Sequence, residues 1–242
     1  MSLPFVLEGV TVHRGGTAAV VDLSYANDDA AWIGLVGANG SGKTSLLRAL
    51  AGRLAIRAGR VVIGGADLSW DRGERARLIG FAVEQSVLPG ELSVREVFAI
   101  AGEAADAADD PRLRGLREAL NLDSFIDRKC GSLSAGMGQR AALLAAFLGL
   151  PPIVILDEPF NWLDPLTAFD VKKALRALVT QESVTLITAL HDVATLMAYC
   201  HRGLLLSAGR IALKIEQAAL REGLSDPVAF EARMVEQLRA VR

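Results

Sequence analysis

The chain has 242 residues, 51% hydrophobic and 5% aromatic, which leaves Leu, Val, Ile and Ala to fill one large domain or one domain with an inserted lobe. Its 26 basic and 28 acidic residues exclude the basic footprint of a nucleic-acid-binding domain, so no nucleic acid partner is expected. Cys130 and Cys200, far apart in the chain, fit a reducing compartment, and Cys200 beside His201 is too little for a metal site.

Met1 to Phe5 carries no basic segment followed by an apolar stretch, so no secretory signal is expected there. Phe5 to Val12 and Val20 to Ala26 read as β-strands around a Gly15-Gly16 turn. Trp32 to Val36 is a short apolar strand. It is followed by Gly37-Ala38-Asn39-Gly40-Ser41-Gly42-Lys43-Thr44, which fits the phosphate-binding Gly-x-x-x-x-Gly-Lys-Ser/Thr pattern. Ser45 and the helically spaced Leu46, Leu47, Leu50 and Leu54 come next. Strand, glycine loop and helix N-terminus together trap an anion, because backbone N–H groups converge where the helix dipole is positive. In that arrangement Lys43 reaches β- and γ-phosphates, and the Thr44 hydroxyl ligates Mg²⁺.

Arg60 to Ile63 and Leu78 to Val83 read as further strands, the second ending at Glu84-Gln85. From Leu92 to about Arg128 the pattern turns helical, with Ser93 as N-cap of Val94 to Ala101 and a new helix starting at Pro111. The change marks an inserted helical lobe at roughly residues 87 to 149. The helix opened by Leu133 to Arg140 runs to Leu148. The apolar run Ala141 to Leu156 is broken by Pro151-Pro152 and is too short to span a bilayer. Ile153 to Leu156 is a strand capped by Asp157-Glu158. Pro165 to Val179 is helical, Val184 to Leu190 is a strand ending at His191-Asp192, and a helix runs to Tyr199. Gly203 to Leu213 suits two strands, and a short extension over 214–242 ends in a helix from about Val228.

Strands alternating with helices predict a parallel sheet covered by helices. Asp157 and Glu158 then stand at its functional edge, where ligands gather. Asp157 is placed to address Mg²⁺ and Glu158 to align or deprotonate water.

These motifs in this order resemble the ATP-binding subunit of an ABC transporter, over Phe5 to Leu213. Gly37 to Thr44 matches its Walker A motif and Ile153 to Glu158 its Walker B motif with catalytic glutamate. Leu133-Ser134-Ala135-Gly136-Met137 is similar to its Leu-Ser-Gly-Gly-Gln signature. Gln85, Asp164 and His191 fall where the Q-loop, D-loop and switch-histidine residues fall. The resemblance implies an α/β fold: a P-loop NTPase core with a mostly parallel sheet, an N-terminal antiparallel β-subdomain and an inserted α-helical lobe, all in one domain. It implies ATP and Mg²⁺ as cofactors, with Glu158, His191 and Gln85 catalytic and Thr44, Gln85 and Asp157 about the metal. Ser134 and Gly136 of a second copy would close the nucleotide held by Gly37, Asn39, Gly40, Ser41, Gly42, Lys43, Thr44 and Ser45.

The further partner implied is a separate transmembrane permease, with this chain peripheral on the cytoplasmic face. Leu88 to Glu96 and the residues after the signature resemble single-domain subunits of bacterial drug or polymer exporters. A non-transport ABC ATPase in cytosolic assembly and a weakly active regulatory module stand as alternatives. The chain departs from the family pattern at Ala135, Met137 and Trp162. It also lacks the aromatic that stacks on adenine, offering only His13 or Arg14 there.

Overall fold

The computed structural model describes residues 3–240. The reading of Met1 to Phe5 and the last two residues of the C-terminal extension therefore lie partly or wholly outside the described residues.

β1 (Phe5–Arg14) and β2 (Thr17–Asn27) pair antiparallel. Gly15 and Gly16 close the hairpin with φ of 56° and 84°, the two positive values that a tight twisted hairpin turn demands. β3 (Trp32–Val36) leaves for a second sheet, while β4 (Ala58–Ile63) returns to the other edge of β1 and β5 (Ala66–Asp67) follows it. The order of this antiparallel sheet is β2-β1-β4-β5.

The second sheet joins β3 to β6 (Ile79–Phe81), β7 (Ile153–Asp157), β8 (Thr185–Ala189), β9 (Arg202–Ser207) and β10 (Arg210–Ile215), in the order β10-β9-β3-β8-β7-β6. Every pair is parallel except β9 with β10. α1 (Lys43–Leu50) follows β3, and α2 (Arg72–Leu78) precedes β6. The lobe holds α3 (Val94–Ala101), α4 (Arg114–Ala119) and α5 (Ala135–Ala145). α6 (Pro165–Gln181) and α7 (Val193–Tyr199) flank β8, and α8 (Gln217–Gly223) and α9 (Pro227–Ala240) end the described chain.

Alternation along the central strands divides two cores. Ile33, Leu35, Ile153 and Ile155 pack with α1 and the antiparallel sheet. Trp32, Val36, Val154 and Leu156 pack with the lobe and with α6 and α7. Gly34 lets α7 approach, since a Cβ there would stand 2.5 Å from Leu196 Cδ1.

The caps are readable in the sequence. Ser93 and Glu96 form a reciprocal box, with Ser93 N–H donating to Glu96 Oε2 at 2.7 Å and Ser93 Oγ accepting from Glu96 N–H at 3.2 Å. Asp164 caps α6 ahead of Pro165.

Two helices, α2 and α8, arise where no periodic apolar pattern announces them, and Leu78 belongs to α2 instead of the strand. α2 is held by local polar contacts. Asp71 accepts from Glu74 N–H at 2.9 Å, and buried Arg75 donates to the carbonyls of Leu68 and Ser69, both at 2.7 Å.

Cys200 is buried in the core, and His201 accepts the Trp32 N–H through Nδ1 at 2.8 Å. Burial first, then the nearby Arg176 and Arg202, pull His201 down to about 4 from its ordinary 6.5. The unfolded chain takes up this proton at a higher pH than the folded chain does. Stability therefore falls as pH drops from 6.5 toward 4. His201→Gln, which keeps an acceptor for Trp32, flattens this part of the profile in denaturant titrations across that range. An unchanged slope would assign it to another group.

Candidate active site

The glycine loop leaves the C-terminal end of β3 and enters α1 at the centre of the parallel sheet. Its glycines are required by contact and by conformation. Gly37 (φ 155°) has no room for a Cβ, which would lie 2.3 Å from the Leu206 carbonyl oxygen. Gly42 (φ 104°) is equally confined, 2.3 Å from the Ala19 carbonyl oxygen. Lys43 is buried, and its ammonium donates to the carbonyls of Gly37 (2.7 Å) and Ala38 (3.3 Å). Burial pulls the Lys43 amine below its usual range, and the carboxylates of Glu158 and Asp157 pull it back up.

Asp157 ends β7 on the α1 side, near the Thr44 hydroxyl, which favours its charged form. Burial raises its pKa most, Glu158 adds to this, and Thr44 opposes it. Asp157 Oδ1 is buried with no hydrogen-bond partner among the described residues. A buried carboxylate oxygen left open beside a Ser/Thr hydroxyl is what a hard divalent cation satisfies, so the donor set fits Mg²⁺.

At Glu158 the chain turns, with φ of 53°, a left-handed conformation costly for a residue with a Cβ. The turn brings its carboxylate out of the strand's alternation and beside His191. His191 Nε2 lies 2.8 Å from Glu158 Oε2, which also accepts from Asn161 Nδ2 at 2.9 Å. Asp192 caps α7 through Thr195 N–H at 2.5 Å, fixing the segment that carries His191. Lys172 of α6 ties the two segments together. Its ammonium donates to Thr195 Oγ1 at 2.7 Å and lies 4.9 Å over the ring of Phe160, two residues beyond Glu158.

Two cavities meet at Thr44 and Glu158. One, of about 500 Å³, is lined by the glycine loop from Asn39 to Ser45, with Glu158, His191, Arg14 and Ala19. The other, of about 550 Å³, opens between the sheet and the lobe and holds Asp157, Glu84, Arg48, Gln139, Asn161 and Trp162. The structure thus brings together Asn39, Gly40, Ser41, Gly42, Lys43, Thr44, Ser45, Asp157, Glu158 and His191. Between the two candidates for the base, the first cavity takes Arg14 and leaves His13 outside.

Gln85, expected at the metal or the attacking water, is not in this lining. It opens a 3₁₀ turn, Gln85–Val87, and packs on α5 at Gly138, where a Cβ would stand 2.9 Å from both Gln85 Cβ and Oε1. Glu84 occupies the cleft instead and pairs with Arg48 of α1 at 2.7 Å. Glu84, Arg48 and Asn161 were missed. The Glu84–Arg48 pair joins positions 36 residues apart and has no local signal.

Ser134 and Gly136 lie apart from Lys43 in the single chain. Ser134 is exposed and caps α5, accepting from Met137 N–H at 3.3 Å. Gly136 faces the Trp162 carbonyl oxygen, 3.0 Å from where its Cβ would be. Asp164 is likewise occupied, capping α6 through Thr167 and paired with Arg140 at 3.1 Å.

A glycine loop at the centre of a parallel sheet, strand-end carboxylates facing it and a helical lobe beside it define a P-loop cassette fold. The ABC transporter pattern matches residues 21–161, and the chain belongs to that family. A phosphonates import ATP-binding protein of Rhodopseudomonas palustris is 29% identical, covering 91% of this chain and 87% of its own. A thiamine import ATP-binding protein of Jannaschia is 31% identical, covering 92% and 97%. An ATP-binding subunit of an ABC transporter of known structure superposes with a TM-score of 0.83 at 24% identity, over 97% of this chain and 99% of that one. A dimeric ATP-binding cassette bound to ADP and Pi superposes with a TM-score of 0.78 at 23% identity, over 88% and 98%. The exporter-like reading of Leu88 to Glu96 is not supported, because these sequence relatives are import subunits.

The geometry separates the two neighbours at the end of β6. Glu84→Ala lowers ATP turnover on the order of tenfold, the loss of one modest transition-state interaction. Gln85→Ala lowers the melting temperature and leaves turnover within about threefold of the parent. Steady-state kinetics and thermal unfolding on both variants check this, and the reverse pattern would restore Gln85 to the cleft.

Proposed function

We propose that this chain hydrolyses ATP as one half of a dimer and powers translocation by a separate membrane-spanning permease. The carrying observation is the Glu158 carboxylate, turned out of its strand and held by His191 and Asn161 beside the P-loop cavity. Among the described residues no helix is long and apolar enough to cross a membrane. The naming of the relatives as import ATP-binding proteins supports a permease partner and a place for this chain at the membrane's cytoplasmic face. The sequence relatives support import as the direction, and their differing names, phosphonates and thiamine among them, leave the cargo to the permease.

In this reading Lys43 exchanges its carbonyl contacts for phosphate oxygens, and loop N–H groups between Asn39 and Ser45 complete the cradle. Thr44 and Asp157 would hold Mg²⁺, which would supply charge neutralisation to the bound phosphates. Glu158 orients water and accepts its proton. His191 sets the carboxylate's direction and contacts the γ-phosphate. Ser134 and Gly136 of the second copy face that phosphate from α5.

Glu158→Gln keeps ATP affinity and slows hydrolysis about 100-fold or more, as loss of a general base does. ATP then holds the variant as a dimer in size-exclusion chromatography. Parental turnover in this variant would remove Glu158 from the chemistry.

The shared site has its own test. An ATP-bound structure of Glu158→Gln places Ser134 of one copy within hydrogen-bond reach of the γ-phosphate held by Lys43 of the other. Ser134 facing solvent in a closed ATP complex would overturn it.

A further inference from the structure

We propose that the surface around Trp70 lays this chain directly against a bilayer that carries anionic lipid headgroups. The inference goes beyond the permease partner proposed above and does not depend on ATP chemistry.

Three observations carry it. The first is Trp70 itself, 73% exposed in a chain whose Trp32 is wholly buried. Its turn holds it out. Asp71 N–H donates to the Leu68 carbonyl at 3.2 Å, and Ser69 Oγ accepts the Val61 N–H at 2.9 Å. Leu68 and Ser69 are thereby buried on the antiparallel sheet, and the next residue is left in solvent.

The second is positive charge without counter-charge. Arg53, Arg57 and Arg72 are exposed, and none of them meets a carboxylate among the described residues. Arg72, two residues past Trp70, donates to the carbonyls of Gly52 at 2.9 Å and Arg53 at 3.3 Å. The start of α2 and the exit of α1 therefore share one surface. Arg75 lies beneath it, fully buried, its guanidinium bonded to the carbonyls of Leu68 and Ser69.

The third is the engagement of the neighbouring carboxylates. Asp71 caps α2, Glu74 pairs with Arg77 at 3.4 Å, and Asp67 is bonded to Arg60 and Ser69, both at 3.0 Å. The patch is thus cationic in a chain whose formal net charge is -2.

An indole has an apolar body and a polar N–H, and it settles at the level of lipid headgroups. Guanidinium groups pair with headgroup phosphates, and each arginine near an anionic surface is worth about fivefold in affinity. An acidic protein segment would also pair with the arginines, but the indole favours lipid. Trp70 stands on an open turn and lines neither cavity of the active site, so it meets a surface and not a cleft. Arg53 marks the side on which the patch adjoins the cavity between sheet and lobe.

The test is a titration of the whole chain, without nucleotide, with phosphatidylcholine vesicles that contain or lack phosphatidylglycerol. Co-sedimentation and tryptophan emission read the binding. The chain binds the anionic vesicles and not the neutral ones, its emission moves to shorter wavelength, and added salt weakens the binding. Trp70→Phe loses the emission shift although Trp32 and Trp162 remain. The double variant Arg53→Gln with Arg57→Gln, checked for an unchanged melting temperature, binds about 25-fold more weakly. Absence of binding to the anionic vesicles, equal binding to the neutral ones, or an emission shift kept by Trp70→Phe each overturns the proposal. So does binding of soluble polyaspartate as tight as that of the vesicles, which would assign the patch to an acidic protein. With no nucleotide present, none of these results bears on the ATPase reading.

Discussion

The site depends on backbone approaching backbone with no side chain between. At Gly37 the loop touches the β9 carbonyl of Leu206, and at Gly42 it touches the β2 carbonyl of Ala19. Both glycines also hold φ values that residues with a Cβ rarely adopt. Sequence segments near residues 19, 40 and 207 are thereby locked into one junction, with Gly209 bonded to both of the others. Phosphate cradle, antiparallel sheet and the far edge of the parallel sheet are set by the same few contacts. That is why the N-terminal hairpin, remote from the carboxylates in sequence, belongs to the nucleotide cavity.

How much of this was legible follows from how far apart the partners lie. The P-loop is contiguous, so its residue types and the strand and helix around it state their purpose together. Asp157 was readable as a strand-end carboxylate for the same reason. Glu158 was readable as a residue type but not as a geometry. Its alternation along β7 points it away from its neighbour, and only a φ of 53° turns it toward His191. Gln85 lies one position beyond the residue that lines the cleft. A 3₁₀ turn begins there and hands the cleft to Glu84, and nothing in Glu84-Gln85 alone says which carbonyl starts the turn. α2 was silent because a cap and a buried arginine hold it where apolar periodicity does not.

Two of the departures from the family pattern, Ala135 and Trp162, have a definite place in the packing. Ala135 is the first residue of α5 and is exposed, a place where an alanine fits without strain and a glycine is not needed. Gly136 is the residue that must stay small, because the Trp162 carbonyl lies against it. Trp162 itself is 61% exposed, its backbone packed on α5 and its side chain on the wall of the second cavity. The pair couples the signature helix to the segment that follows Glu158.

The placement of Lys172 changes how tolerant α6 is to mutation. A lysine on an outer helix is ordinarily exchangeable for any solvated residue, since surface substitutions alter little. Here one ammonium spans a ring beyond Glu158 and a hydroxyl beyond His191, so the segments that carry this carboxylate and its imidazole neighbour share a brace. A glutamate at 172 would repel the π face that lysine attracts, and an alanine would leave Thr195 and Phe160 to settle independently. Position 172 thereby acts on the placement of Glu158 and His191 from a helix that contributes no residue to either cavity.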